Sequence, residues 1–376
     1  MENFSFDQKK NKSGKDILPF KQVNNENINP KENFHHKTKF HLGGGQENNI
    51  NNSQNEKFEK NELNKHKPQS TLRFFGKNLL NKNLIFETIK TNLLSPRNIK
   101  LEECEKKVKN NPQYLIEYSN DILFHLKKTE NINLPDYSTH FIQKTTISEK
   151  SRRILLDWII SVHFKFDLLP ETLYLTVNLI DRMISLNQIT LEKFQLLGVT
   201  AMLIASKYEE IYAPEIRDFI YVTGKTVTKK DILEMEFKIL SLLKFDILIV
   251  SPYTFLNRLH FISNTDEQTY YLAMMLIEIS FLDINFLKHP PSLISASLFY
   301  LARKIIKKFD NNALYRIWND SLKFHSGYNE STLKVCIKEF AEFYKNTMRN
   351  SKLEAVLSKF SSEKFNRVSK KFFNSK

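Results

Sequence analysis
From residue 111 the apolar positions fall into a helical rhythm that persists, with interruptions, to about residue 345. Tyr114, Leu115, Tyr118, Ile122, Leu123 and Leu126 recur at helical spacing to about Lys128, behind Pro112 as an opener. An irregular stretch with Pro135 and Asp136 follows. Ser148-Glu149-Lys150-Ser151 then reads as a cap and first turn, with Ser148 as N-cap. Five helices are predicted next. Ile154, Leu155, Trp158, Ile159, Val162 and Phe166 form one stripe, and Pro170-Glu171 opens a second helix with Leu173, Val177, Ile180 and Ile184 on one face. The third runs from Leu191 to about Lys207. Between Phe194 and Ala205 its only polar residues are Gln195 and Thr200, so neighbours must enclose it on every side. A short fourth helix is expected from Pro214, and a fifth from Lys229 to Lys244.

A second unit starts after Ser251-Pro252, with candidate helices Thr254–Phe261, Gln268–Phe281, Ser292–Phe309, Asn312–Asn319 and Ser331–Thr347. Its third helix repeats the small-residue, apolar character of the first unit's third (Ser295, Ala296, Ser297, Ala302). The two units therefore read as an internal repeat of about 100 residues. Glycine occurs in 111–345 only at Gly198, Gly224 and Gly327, and no strand-like alternation appears there. The expected fold is all-α, two tandem five-helix units behind one preceding helix.

The flanks differ. The first 70 residues hold 14 Asn and the run Gly43-Gly44-Gly45, with no sustained period, and are expected to be disordered. The formal charge of +14 sits outside the body: residues 1–110 contribute +8, residues 346–376 contribute +6, and 111–345 is neutral. The domains read as 1–110, a disordered regulatory region; 111–147, helix and linker; 148–250 and 251–345, the two units; and 346–376, a basic tail. A neutral body argues against a nucleic-acid-binding surface. Cys104 and Cys336 are too few and too far apart for a disulfide framework or a zinc ribbon, and suit a reducing compartment. No apolar run approaches the ~20 residues of a membrane span, and the N-terminus has no secretory pattern.

Catalytic signatures are missing as well. There is no Gly-rich phosphate loop, no His-Glu-x-x-His and no Gly-x-Ser-x-Gly elbow. Adjacent acids such as Glu209-Glu210 diverge by about 100° on a helix and do not converge on one substrate. No enzyme, metal site or cofactor is expected.

Ser151-Arg152-Arg153-Ile154-Leu155-Leu156-Asp157-Trp158 resembles the opening of the cyclin box. The same holds for Leu169-Pro170-Glu171-Thr172-Leu173-Tyr174 with Ile180-Asp181-Arg182. Gln195-Leu196-Leu197-Gly198 through Ser206-Lys207-Tyr208-Glu209-Glu210 is close to mitotic A/B-type cyclins, and the Pro170 segment leans towards the B type. The resemblance is specific over 148–250 and looser over 114–130 and 251–345. It implies a regulatory subunit that binds and activates a cyclin-dependent kinase, present in nucleus and cytoplasm. A DNA-associated factor built from two cyclin repeats is the alternative, since a fold alone does not fix function.

Carried over residue by residue, the resemblance puts Lys207, Glu236, Ile204, Tyr208, Ile211, Leu240, Phe245 and Ile247 on the kinase-binding surface. Read without it, Lys207 and Glu236 form an intrachain salt bridge beside core residues. Arg152 and Asp181 correspond to a buried ion pair bracing the first two helices. A surface that docks Arg-x-Leu motifs of substrates maps to Ile154, Leu155, Trp158 and Gln195. Here Ser151 replaces a Met and Ser161 an acidic residue of the family pattern. In the N-terminal region Lys31-Glu32-Asn33 matches the KEN box read by the anaphase-promoting ubiquitin ligase. Arg73 to Asn81 could be a degenerate destruction box, and Ser95-Pro96 is a candidate phosphorylation site.

Overall fold
The computed structural model describes residues 2–6, 20–24, 102–135, 147–186, 189–309, 316–348 and 353–373. The candidate degron Lys31, Glu32 and Asn33, the Arg73–Asn81 segment and Ser95-Pro96 lie outside the described residues. Within 1–110, where disorder was expected, β1 (Glu2–Phe6) pairs antiparallel with β2 (Phe20–Asn24), Glu2 opposite Asn24 and Phe6 opposite Phe20. The sequence alternates at Asn3-Phe4-Ser5-Phe6, a two-residue period too short to weigh in the reading above. A two-stranded ribbon alone is marginal in water.

From residue 102 every regular element is helical among the described residues. After α1 (Glu103–Val108) the stretch predicted as one helix from Pro112 is two 3-10 turns, Pro112–Tyr114 and Ile116–Tyr118, followed by α2 (Ser119–Thr129). Leu115 lies in the left-handed region (φ 45°) and interrupts the helix there.

The first unit holds α3 (Glu149–Lys165), α4 (Pro170–Ser185), α5 (Phe194–Glu209), α6 (Ile216–Val222) and α7 (Lys229–Leu242). Its starts follow the expected chemistry. Ser148 Oγ accepts from Ser151 N at 3.1 Å, Pro170 occupies the first turn of α4, and Thr228 and Asp231 cap α7 reciprocally. Helix α5 is buried from Phe194 to Ser206 and packs against α3, α4, α6 and α7. Gly198 lets α3 approach: a Cβ there would lie 3.0 Å from Leu155 Cδ1 and 3.1 Å from Ile159 Cδ1.

The second unit repeats the plan with α8 (Pro252–Ser263), α9 (Glu267–Ser280), α10 (Pro291–Phe309), α11 (Asp320–Ser326) and α12 (Glu330–Phe343). The predicted helix Asn312–Asn319 is a correction. Residues 316–319 are not helical, 312–315 lie outside the described residues, and the helix begins at Asp320 instead. Asn319 caps it by accepting from Leu322 N at 2.9 Å, and Gly327 (φ 73°) closes it in the left-handed region.

Residues 346–376, expected as a basic tail, fold over 353–373. Here α13 (Ala355–Lys359) packs on α3, and α14 (Val368–Phe373) packs on α9. The charge count concealed an apolar series whose Val356, Phe360, Phe365 and Val368 are buried. Ala355 N donates to Asp157 Oδ1 at 3.0 Å, and Lys359 Nζ reaches Glu278 Oε1 of α9 at 2.6 Å in the interior. This segment thus ties both units together. Burial pushes the Asp157 carboxyl up to about 7, against the lowering pull of its bond from Ala355 N.

Removing one member of a buried ion pair strands the other in low dielectric. Lys359→Met should therefore cost about 3–5 kcal/mol in urea denaturation, and adding Glu278→Leu should recover most of that loss. A carboxyl whose folded pKa exceeds its unfolded value destabilises the fold as pH rises from the ordinary 3.8 to about 7. Asp157→Asn should remove that component, so the variant should gain on wild type between pH 5 and pH 8 in melting temperature.

Candidate functional site
Packing of α5 against α7 brings two residues far apart in sequence together. Lys207 Nζ donates to Glu236 Oε1 at 2.7 Å, with Lys207 half exposed and Glu236 largely buried. The intrachain salt bridge is formed in the free chain. An ammonium nevertheless carries more donors than one carboxylate oxygen occupies, so the pair can still accept a partner's backbone groups.

The helices that carry this pair, and the residues after them, leave large apolar side chains exposed. Tyr208, Ile211 (90% exposed), Phe237 (72%) and Phe245 (68%) are exposed, joined by Tyr212, Leu233 and Leu248. Leu240 and Ile247 are half-buried, and Ile204 is buried. Phe237, Tyr212, Leu233 and Leu248 are not among the residues carried over by resemblance. Their signal is readable on α7. Ile232, Met235 and Ile239 form the buried stripe, while Leu233, Phe237 and Leu240 form a second at i, i+4 and i+7 on another face. A helix with two apolar stripes has more apolar surface than its own fold covers.

The C-terminus of α7 shapes this face. Phe245 N donates to Leu240 O (2.9 Å) and Lys244 N to Ser241 O (3.1 Å), the bond pattern of a Schellman motif. Lys244 (φ 55°) and Phe245 (φ 59°) are both left-handed, a position glycine usually takes, at a cost of about 1–2 kcal/mol per residue.

Residues 121–248 match the family model for the cyclin N-terminal domain, and residues 250–372 match that for the cyclin C-terminal domain. The chain belongs to the cyclin family. It is 41% identical over 253 residues to Cyclin-B1-3 of Arabidopsis thaliana, covering 67% of this chain and 59% of that protein. It is 34% identical over 270 residues to the G2/mitotic-specific cyclin-2 of Medicago sativa, covering 72% and 79%. By name these relatives are B-type and G2/mitotic-specific cyclins. The chain spans about 60% of the length of the Arabidopsis B-type cyclins it matches. In fold it is similar to the X-ray structure of a viral cyclin from herpesvirus saimiri, with a TM-score of 0.51 at 24% identity, over 59% of this chain and 97% of that one. The match to residue 372 takes in the folded C-terminal segment.

In the first cyclin fold, Arg152 Nε and Nη2 donate to the two oxygens of Asp181 at 2.6 and 2.7 Å, and both side chains are buried. Arg152 Nη1 also donates to Phe281 O at 2.7 Å, which carries the brace into the second fold. The docking residues sit differently. Leu155, Trp158 and Gln195 are buried and Ile154 is half-buried. Thr226 Oγ1 donates to Gln195 Oε1 at 3.4 Å, and the Gln195 amide nitrogen is buried without a partner. The arrangement is not an open groove. No group of three or more His, Cys, Asp or Glu among the described residues could hold a metal, and no described helix is long and apolar enough to cross a membrane.

Side chains that face outward add little to the folded state. Phe237→Ser and Phe245→Ser should each change unfolding free energy by no more than about 0.5 kcal/mol. Ile239→Ala, on the buried stripe of the same helix, should cost about 2–5 kcal/mol in the same urea titration.

Proposed function
We propose that this cyclin is a regulatory subunit that binds and activates a cyclin-dependent protein kinase to control G2/M progression, and is not itself an enzyme. One observation carries the reading: a half-exposed ion pair, Lys207–Glu236, on two helices that, with the residues after them, leave aromatic and aliphatic side chains in water. Exposed apolar clusters with a polar centre mark protein partners rather than small ligands. A kinase helix with a few accessible backbone groups would cover the apolar side chains while Lys207 and Glu236 bond those groups. The DNA-binding alternative finds no support in a neutral body and B-type relatives.

Three further elements complete the proposal. Substrate proteins bearing Arg-x-Leu motifs dock along α3 and the start of α5, at Ile154, Leu155, Trp158 and Gln195, once side chains there move aside, since all but the half-buried Ile154 are buried in the free chain. The anaphase-promoting ubiquitin ligase reads Lys31, Glu32 and Asn33 and ends the protein's life at mitotic exit. The protein works in nucleus and cytoplasm.

Charge-assisted hydrogen bonds of this kind contribute about 1.5–3 kcal/mol. Lys207→Ala and Glu236→Ala should each weaken kinase binding about ten- to a hundred-fold by calorimetry. Wild-type affinity in both would overturn the binding surface. For turnover, replacing residues 31–33 by Ala should lengthen the half-life at mitotic exit in a chase experiment, and an unchanged half-life would remove the degron.

A further inference from the structure
The segment that carries Phe245 and Ile247 is held by the backbone bonds that close α7 only as far as Asp246, whose N donates to Leu243 O at 3.0 Å. Lys244 and Phe245 occupy the left-handed region in succession, and Phe245 points into solvent, so packing does not force it there. Conformations of this kind persist when the surroundings over-determine them. Here the surroundings are polar. Asn133 Nδ2 donates to Asp246 Oδ1 at 2.8 Å and to Leu248 O at 3.0 Å. Arg182 Nη1, on α4, donates to Asp246 O at 2.9 Å. Asn178, also on α4, donates through Nδ2 to Asn133 O at 2.9 Å, which fixes the asparagine that fixes the loop.

Asn133 is itself left-handed (φ 61°), a conformation asparagine tolerates better than most residues. Its place is set from the other side. Glu130, one turn earlier at the end of α2, accepts from Ser292 N (2.8 Å) and Ser292 Oγ (2.9 Å) at the start of α10 in the second cyclin fold. The linker after α2 therefore runs from a buried anchor on the second fold to the exposed loop of the first.

We infer that Asn133 is a positioning residue for kinase binding: with Arg182 it clamps residues 244–248 so that Phe245 and Ile247 are presented in their binding geometry. The inference rests on the proposed kinase face. It gives the helix before the cyclin box a role in affinity beyond any contact of its own, by lowering the ordering cost of the loop.

The test uses the full chain and a purified cyclin-dependent kinase, with calorimetric affinity and melting temperature measured for each variant. Asn133→Gly keeps access to the left-handed backbone and deletes the side-chain bonds. It should weaken binding about 5- to 20-fold and speed amide exchange at 244–248, with the melting temperature little changed. On a Phe245→Ala background the same change should weaken binding by a clearly smaller factor, because only Ile247 is then left to be positioned. A purely structural role predicts the reverse, a lower melting temperature and the same fold-loss on either background. Asn133→Asp should also weaken binding, and adding Asp246→Asn should restore part of the loss by reversing the donor and acceptor. Unchanged affinity in Asn133→Gly while Lys207→Ala still weakens binding would overturn the clamp alone. Unchanged affinity in Lys207→Ala would instead remove the kinase face on which it depends.

Discussion
A guanidinium buried in the first helix of the first cyclin fold must find acceptors for its donors or the fold cannot close around it. Arg152 finds three: both oxygens of Asp181 on α4 and the carbonyl of Phe281 just after α9. Desolvating that pair is costly, and the fixed fork geometry is what recovers the cost. Because the third bond crosses to the second fold, one side chain ties α3 to α4 and the first repeat to the second. Every later placement assumes that frame.

Within it the central helix α5 can be apolar all round, because α3, α4, α6 and α7 cover it, with Gly198 admitting α3. The consequence at the far end is functional. A helix enclosed along its length emerges at Lys207, and α7, packed along it, brings Glu236 alongside. The second fold is held by further buried charges: Lys359 with Glu278, Glu130 on Ser292, and Glu105 with Arg258 at 2.6 Å. Burial raises the Glu130 carboxyl above its ordinary value and lowers the Lys127 ammonium to about 8. The segments before and after the repeats are structural straps rather than appendages.

Much of this was legible in the residues. Ser148 and Pro170 mark helix starts by chemistry that acts locally, and the apolar run of α5 could only be a central helix. The family resemblance then placed Arg152, Asp181, Lys207 and Glu236, whose pairings need the fold to be seen. What escaped reading depended on distance or on averaging. Residues 353–373 looked like a basic tail because charge was counted over a window, while Val356, Phe360 and Val368 were each placed to bury. Helix α11 was displaced because the apolar residues of 312–319 outweighed the Asn319 cap and the Gly327 stop. Leu155, Trp158 and Gln195 carry the family's docking positions, yet their burial follows from how closely α3 approaches α5. Asn133 has no sequence signal at all, since the partners of its side chain lie more than a hundred residues away.

On the proposed function, the apolar face that carries Lys207 and Glu236 is the surface a cyclin-dependent kinase covers. Amide hydrogen exchange of the full chain, with and without saturating kinase, tests this most directly. Protection should appear at the end of α5, through residues 208–212 and along 233–248, and should leave the outer face of α12 unchanged. Protection confined to the second cyclin fold, with 208–212 and 244–248 exchanging as in the free chain, would contradict it.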